Sequence, residues 1–292
     1  MPNQVARAVK KWMKYPVHQV KRYRAKSSLQ YLTSHRLTSV QAVGNALHDA
    51  LHDVASEQEC ELMGRIEQRR NTLLNMHSEI VVVDYGAGRP SDRRSLEEMD
   101  KGVKSSSTIN KVCRSSKPEF WCSFLFKLIQ NLHPIRCVEL GSCVGISASY
   151  QATALRLNNQ GMLVTLEGSP EVADIARQTL NQMDLDNTSV ITGPFHTTLE
   201  AVLGDAKQVD FLFNDGHHDH DAVIRYFNIA VPYLSDEAMV VFDDINWSPG
   251  MRNAWDKIEN DPRVAVSIDL HEIGIALVSD RISGKEKIRI PL

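Results

Sequence analysis

From residue 136 onward, short apolar runs alternate with amphipathic stretches, and this leaves few architectures open. Strand-like runs fall at 136–140, 162–166, 188–192, 209–214, 238–242, 264–270 and 274–278, and helical spacing fills 146–157, 170–183, 197–203, 219–232 and 250–260. Connections this short place successive strands parallel, with helices on both faces. Only a turn separates the last two runs, so those pair antiparallel. The expected fold is α/β: a seven-stranded, mostly parallel sheet with an antiparallel last strand, behind a helical N-terminal extension. In such sheets ligands sit outside the carboxyl ends of the strands.

The first strand ends in Ile135-Arg-Cys-Val-Glu-Leu-Gly-Ser-Cys-Val-Gly-Ile-Ser147. Val138 and Leu140 are buried-strand residues, and Gly141 and Gly145 permit a tight turn and close approach to a ligand. Glu139 is costly near the end of a buried strand unless it is paired or meets a ligand cation or N–H donor. The second strand, Leu163-Val-Thr-Leu-Glu-Gly168, also ends on a carboxylate, the position from which an acid holds both ribose hydroxyls. A third glycine of the dinucleotide fingerprint is missing, which favours a mononucleoside-like cofactor over a nicotinamide one.

The remaining sequence sets the surroundings. Hydrophobic residues at 42% and charged residues at 24% are ordinary for a globular protein. No apolar run approaches about 18 residues and the first 30 residues lack a secretory apolar core, so a cytoplasmic protein is expected. Five cysteines without a Cys-x-x-Cys pair argue against a disulfide framework or zinc ribbon. Arg7, Lys10, Lys11, Lys14, Lys21, Arg22, Arg24, Lys26 and Arg36 precede the first acid, Asp49, although the whole chain has a net charge of −3. Residues 5–24 read as a basic amphipathic segment interrupted by Pro16, suited to anionic lipid, nucleic acid or a transit signal, or to docking on the enzyme body or a second subunit. Helical patterns follow at 39–55 and 57–76, then a strand-like run at 80–83. The glycine- and charge-rich stretch 84–94 is either a surface turn or a lid over a ligand. Serines at 105–107 and 115–116 mark a polar linker, and an aromatic-rich helix at 120–132 opens the main domain near 117. The expected division is thus 1–116 and 117–292.

The segment Val138–Ser147, Glu167, the stretch Val209-Asp-Phe-Leu-Phe-Asn-Asp-Gly-His-His218 and Val241-Phe-Asp-Asp-Ile-Asn-Trp247 together resemble class I S-adenosylmethionine-dependent methyltransferases. The likeness is nearest the O-methyltransferases of the catechol and caffeoyl-CoA type and related bacterial small-molecule enzymes, and covers about 135–280. It implies a Rossmann-like domain with S-adenosylmethionine as cofactor. Gly141, Ser142, Gly145 and Ser147 would line the methionine end, Glu139 would face its ammonium, and Glu167 would hold the ribose. Gly168 and Gly193 to Phe195 would border the adenine, with His217 and Asp215 also beside the cofactor. In metal-dependent members an acid ends the fourth strand and an acid and an amide end the fifth. Those positions here are Asp215, Asp243 and Asp244, with Asp244 replacing the usual Asn. Mg²⁺, Mn²⁺ or Ca²⁺ and a metal-free site both stay open. Where that family has a lysine base this chain has His218, and imidazole accepts a proton near neutral pH. His218 and Asp215 are the expected catalytic pair. His217, His218 and His220 also allow a metal-ligand reading, with zinc disfavoured by the oxygen-rich set.

The leading expectation is O-methyl transfer to a small hydroxylated acceptor such as a sugar, phenol or secondary metabolite. An N-methyl or aminopropyl transferase would use the same fold. A membrane- or nucleic-acid-associated binding protein would instead work through the basic N-terminus. For the enzyme, a homodimer through the N-terminal region is expected, nucleic acid is disfavoured, and membrane-surface contact stays open.

Overall fold

A computed structural model describes residues 26–86, 88, 94–290 and 292. The basic stretch 5–24, apart from its continuation at Lys26 and Arg36, and positions 87 and 89–93 of the expected lid lie outside the described residues. Helix α1 occupies residues 26–33, followed by α2 (Thr38–His52) and α3 (Glu57–Leu74). A capping box starts α3: Ser56 accepts from the Glu59 backbone and the Glu59 carboxylate returns to the Ser56 N–H. A hairpin comes next, β1 (Glu79–Asp84) and β2 (Val103–Thr108), with α4 (Leu96–Lys101) in its connection. The serines expected as linker at 105–107 are therefore paired strand; serine-rich segments carry little intrinsic strand signal, and pairing to β1 decides the matter. A short helix, α5 (Ile109–Cys113), leads to α6 (Glu119–Leu132).

The main sheet contains β3 (Arg136–Leu140), β4 (Met162–Glu167), β5 (Thr188–Thr192), β6 (Val209–Asn214), β7 (Leu234–Phe242), β8 (Val264–Asp269), β9 (Gly274–Val278) and β10 (Glu286–Arg289). Their spatial order is β10-β8-β9-β7-β6-β3-β4-β5. All neighbours are parallel except those of β9, which runs opposite to both β7 and β8. The structure thus contains the seven expected strands and adds β10 as an edge. Between them run α7 (Ile146–Leu157), α8 (Pro170–Gln182), α9 (Phe195–Ala206), α10 (His220–Ala230) and α11 (Pro249–Asn260).

Two apolar layers sandwich the sheet. One joins α2, α6, α7 and α8 to β3, β6 and β7 through residues such as Leu47, Trp121, Phe124, Tyr150, Phe211 and Phe213. The other joins α9, α10 and α11 to the opposite face through Leu140, Leu212, Phe227, Phe242 and Trp255. The N-terminal helices therefore share one core with the sheet. Lys127 of α6 also reaches Glu59 of α3 at 2.8 Å, both nearly buried.

The topology turns back between β3 and β6: the chain proceeds outward through β4 and β5, then crosses to β6 and β7. A crevice opens at such a point. Hydrogen bonds continue one step past the strands, from Gly141 N–H to Leu166 C=O (2.9 Å), Asp215 N–H to Leu140 C=O (2.9 Å) and Asp243 N–H to Asn214 C=O (3.0 Å). That ladder sets Gly141, Glu167, Asp215 and Asp243 side by side along one rim.

Candidate active site

A cleft of about 250 Å³ lies over this rim. Its floor includes Gly141, Ser142, Cys143, Ser147, Glu167, Gly168, Asp215 and Gly216. Residues 82–86 and 115–117, which precede α6, close it from above. The β1–β2 hairpin is held there by Val83 N–H donating to Ser169 Oγ (3.1 Å) and Val81 N–H donating to Glu171 Oε2 (2.9 Å). Tyr85 consequently lies on Gly168, where an added Cβ would come within 2.6 Å of its ring. Neither Tyr85 nor Lys117 stood out in sequence; the only signals were a glycine-rich stretch after a strand and a Lys-Pro ahead of an aromatic helix.

At one pole stands Glu167, which accepts from Cys143 N–H (2.9 Å) and Ser169 N–H (3.0 Å). Burial pushes its carboxyl up to about 7 against the pull of these amides. Each oxygen keeps a lone pair for a ligand hydroxyl. Phe195 and His217 continue this side, their rings 5.4 Å apart. Burial lowers His217 to about 4, so its imidazole is neutral near pH 7, and its Nδ1 meets the Tyr226 hydroxyl at 2.7 Å.

The glycines act differently from the simplest sequence reading. Gly141 and Gly145 both have positive φ, +96° and +84°. A Cβ on Gly141 would strike the Asp215 carbonyl, and one on Gly145 would come within 3.0 Å of Ala176 Cα in α8. Strand and helix packing thus demands glycine at both positions. Gly145 sits at the start of α7, away from the cleft lining, and Gly193 faces Thr198 rather than the cavity.

Glu139 departs furthest from the arrangement implied by resemblance. It is fully buried beneath the floor and outside the cleft lining. It accepts from Gln151 Nε2 (2.6 Å) and Thr165 Oγ1 (2.5 Å), and burial raises its carboxyl to about 7. The Thr165 hydroxyl also lies 2.6 Å from that of Ser142, linking Glu139 to the turn above.

Acidic residues gather at the other pole. Asp243 is almost inaccessible and forms an ion pair with the buried Lys117 ammonium, which lies 3.7 Å from Asp244 Oδ1. Burial alone would lower the Lys117 pKa, but Asp215, Asp243 and Asp244 together raise it. Burial and then the charge of Asp243 push Asp215 well up. Asp243 Oδ1 has no hydrogen-bond partner among the described residues. Burial and Asp243 raise Asp244 as well, and Asp244 holds φ +52°, a region tolerated best by Asn and Asp. His218 is partly exposed, with Nε2 3.7 Å from Asp244 Oδ2 and its ring 5.6 Å from the exposed Trp247. His220 pairs with Asp221 (2.7 Å) at the start of α10 and is absent from the cleft lining.

The structure brings Asp215, Asp243 and Asp244 together, but the donor set does not fit a resident divalent ion. An ammonium sits against Asp243, and among the described residues no group of three His, Cys, Asp or Glu is arranged to hold a metal. The opposite pole does fit a nucleoside with an amino-acid tail. It offers a hydroxyl acceptor in Glu167, a glycine under an aromatic ring at Gly168, and Ser147 in the first turn of α7, where N–H groups favour a carboxylate.

In open doubly wound α/β sheets, ligands bind in such a cleft at the switch point. Comparison with known proteins narrows this further. Residues 138–245 match the family described as "Methyltransferase domain". The chain is 28% identical to a catechol O-methyltransferase of Mycobacterium tuberculosis over 123 residues, 42% of this chain and 53% of the relative. It therefore spans about half the length of the curated relative it matches. Among solved structures, SAH-bound PaMTH1 of Podospora anserina superposes with a TM-score of 0.51 at 19% identity, covering 57% of this chain and 82% of that one. An O-methyltransferase of Bacillus cereus in complex with SAH gives 0.50 at 23% identity, covering 57% and 84%. These structural likenesses establish the fold that the chain shares with them. Among the described residues no helix is long and apolar enough to cross a membrane.

Proposed function

We propose that the chain is an S-adenosylmethionine-dependent O-methyltransferase acting on a hydroxyl of a small molecule. The observation that carries this reading is the two-ended cleft: an amide-oriented Glu167 at one pole, and His218, Asp215 and Lys117 at the other, with Asp243 and Asp244 paired to Lys117 behind the lining. Glu167 accepts from the ribose, and Gly168, Phe195 and neutral His217 surround the base. Ser142, Ser147 and the first turn of α7 take the amino-acid tail, while buried Glu139 stiffens the turn through Thr165 and Ser142. When bound, the cofactor supplies a sulfonium methyl that passes to the acceptor oxygen as the carbon–sulfur bond breaks and its electron pair stays on sulfur. His218 takes the acceptor's proton, and Asp244, 3.7 Å away, stabilises the resulting imidazolium. Trp247 beside His218 offers an apolar wall for the acceptor. The arrangement orders reactants, and orientation supplies a large part of the rate.

Calorimetric titration with S-adenosylmethionine and S-adenosylhomocysteine tests the reading. Saturable binding of both, lost in Glu167→Ala, is expected. A folded protein that binds neither overturns it.

A further inference from the structure

Resting on the methyltransferase reading, we infer that Lys117 is a built-in cation at the acceptor pole: its ammonium takes the place of a divalent ion among Asp215, Asp243 and Asp244, and transfer runs without metal. Three observations converge. Lys117 comes from the loop before α6, in a part of the chain outside the matched domain, yet lines the cleft together with Asp215 and His218. It pairs with Asp243 and lies 3.7 Å from Asp244, with both Lys117 and Asp243 side chains nearly inaccessible. Its direction is fixed by its neighbours. Pro118 is the N-cap of α6 and disfavours a helical backbone at Lys117, whose carbonyl accepts from Cys122 Sγ at 3.3 Å.

The charge balance supports the same conclusion. The groups facing the ammonium are Asp215, Asp243 and Asp244, with His218 and Glu272 bordering Asp244. Such a concentration of carboxylates, with Asp243 nearly inaccessible among them, is costly without a cation. A divalent ion and a lysine ammonium are alternative solutions to that cost, and both would compete for Asp243. An ammonium has three N–H donors on a compact charge. One meets Asp243, leaving donors for Asp244 and for an acceptor oxygen in the cleft. A metal ion can chelate two neighbouring oxygens of a diol, whereas an ammonium donor needs only one, so a vicinal diol is no requirement for the acceptor.

The test is Mn²⁺ titration of the full chain, freed of metal by chelation, followed by the paramagnetic resonance of free Mn²⁺ with and without S-adenosylhomocysteine. The unmodified protein is expected to show no saturable Mn²⁺ site. Lys117→Ala is expected to create one, at least about tenfold tighter than any residual binding and abolished by adding Asp243→Asn. Lys117→Arg should exclude the ion as the unmodified chain does, a rescue that a merely structural side chain would not predict. If Lys117→Ala does not fold, Lys117→Gln removes the charge while keeping a donor for Asp243 and is expected to admit the ion in its place. A stoichiometric Mn²⁺ site in the unmodified protein, lost in Asp215→Asn or Asp243→Asn, overturns the inference, as does exclusion of Mn²⁺ from a folded lysine-free variant. Homocysteine-cofactor binding in the same samples separates the two levels: its absence sinks the methyltransferase reading, whereas its presence beside a native Mn²⁺ site sinks only the role of Lys117.

Discussion

Replacing Glu167 by Gln probes the nucleoside pole with the least disturbance of shape. In the native chain its two oxygens are oriented by the Cys143 and Ser169 amides, at 2.9 and 3.0 Å. The amide of Gln brings an NH₂ toward one of those N–H donors and offers one fewer acceptor to the ribose. A hydrogen bond to a charged group contributes roughly 1.5–3 kcal/mol, so S-adenosylhomocysteine affinity should fall roughly 10- to 150-fold. Protonation gives a second signature. Burial sets the free carboxyl at about 7, and the ribose favours the ionised form, so binding expels a proton when the pH is at or below that value. If only the carboxylate binds, apparent affinity should drop up to about 100-fold between pH 8 and pH 5, following the ionised fraction. Calorimetry in two buffers of different ionisation enthalpy reads both the affinity and the proton release. Glu167→Gln should flatten the pH profile and abolish the release. Unchanged affinity in the variant, or an unaltered pH profile, would refute the ribose assignment.

Other outcomes follow from the same geometry. His218→Ala should lower turnover roughly 10²- to 10⁴-fold while leaving cofactor affinity near native, and parallel losses would give His218 a binding role. Glu139, which burial raises from 4.5 to about 7, binds its proton more tightly folded than unfolded. Its contribution to stability is therefore present below about pH 4.5 and lost as the pH rises through 7, amounting to about 3 kcal/mol at most. Glu139→Gln should remove that slope from urea-denaturation free energies measured across this range, and an identical slope would contradict the burial argument. Gly168→Ala should push Tyr85 off the cleft, because the new methyl would come within 2.6 Å of its ring. Weaker cofactor binding in a protein that melts normally is expected, and native affinity would show that Tyr85 does not shape this pole.

Much of the frame was legible along the chain because strand and helix periodicities are local. The runs at 136–140, 188–192, 209–214 and 274–278 appear as strands with those same limits, and the turn between the last two runs required the antiparallel pair. Two strands carried no such local signal. β2 is Val-Lys-Ser-Ser-Ser-Thr, polar on an exposed hairpin, and β10 is a four-residue edge strand held by pairing to β8. The division near residue 117 reflects a change in composition, whereas packing joins α2 to α6 in a single apolar layer.

For the candidate site, sequence by itself determined which carboxylates end the strands, because Glu167, Asp215 and Asp243 follow apolar runs whose direction and length set their level. It also determined the turns at Gly141 and Gly145, though the reason for glycine there proved to be contact with the Asp215 carbonyl and with α8. Only the tertiary structure decided what each charge meets. Glu139 and Glu167 both lie at strand ends in sequence, yet one is closed beneath the floor by Thr165 and Gln151 and the other opens on the cleft. Lys117 reaches Asp243 across 126 positions of chain, and Tyr85 reaches Gly168 because a hairpin docks on the start of α8. Electrostatic pairing and burial depend on distance in space, which no local pattern encodes.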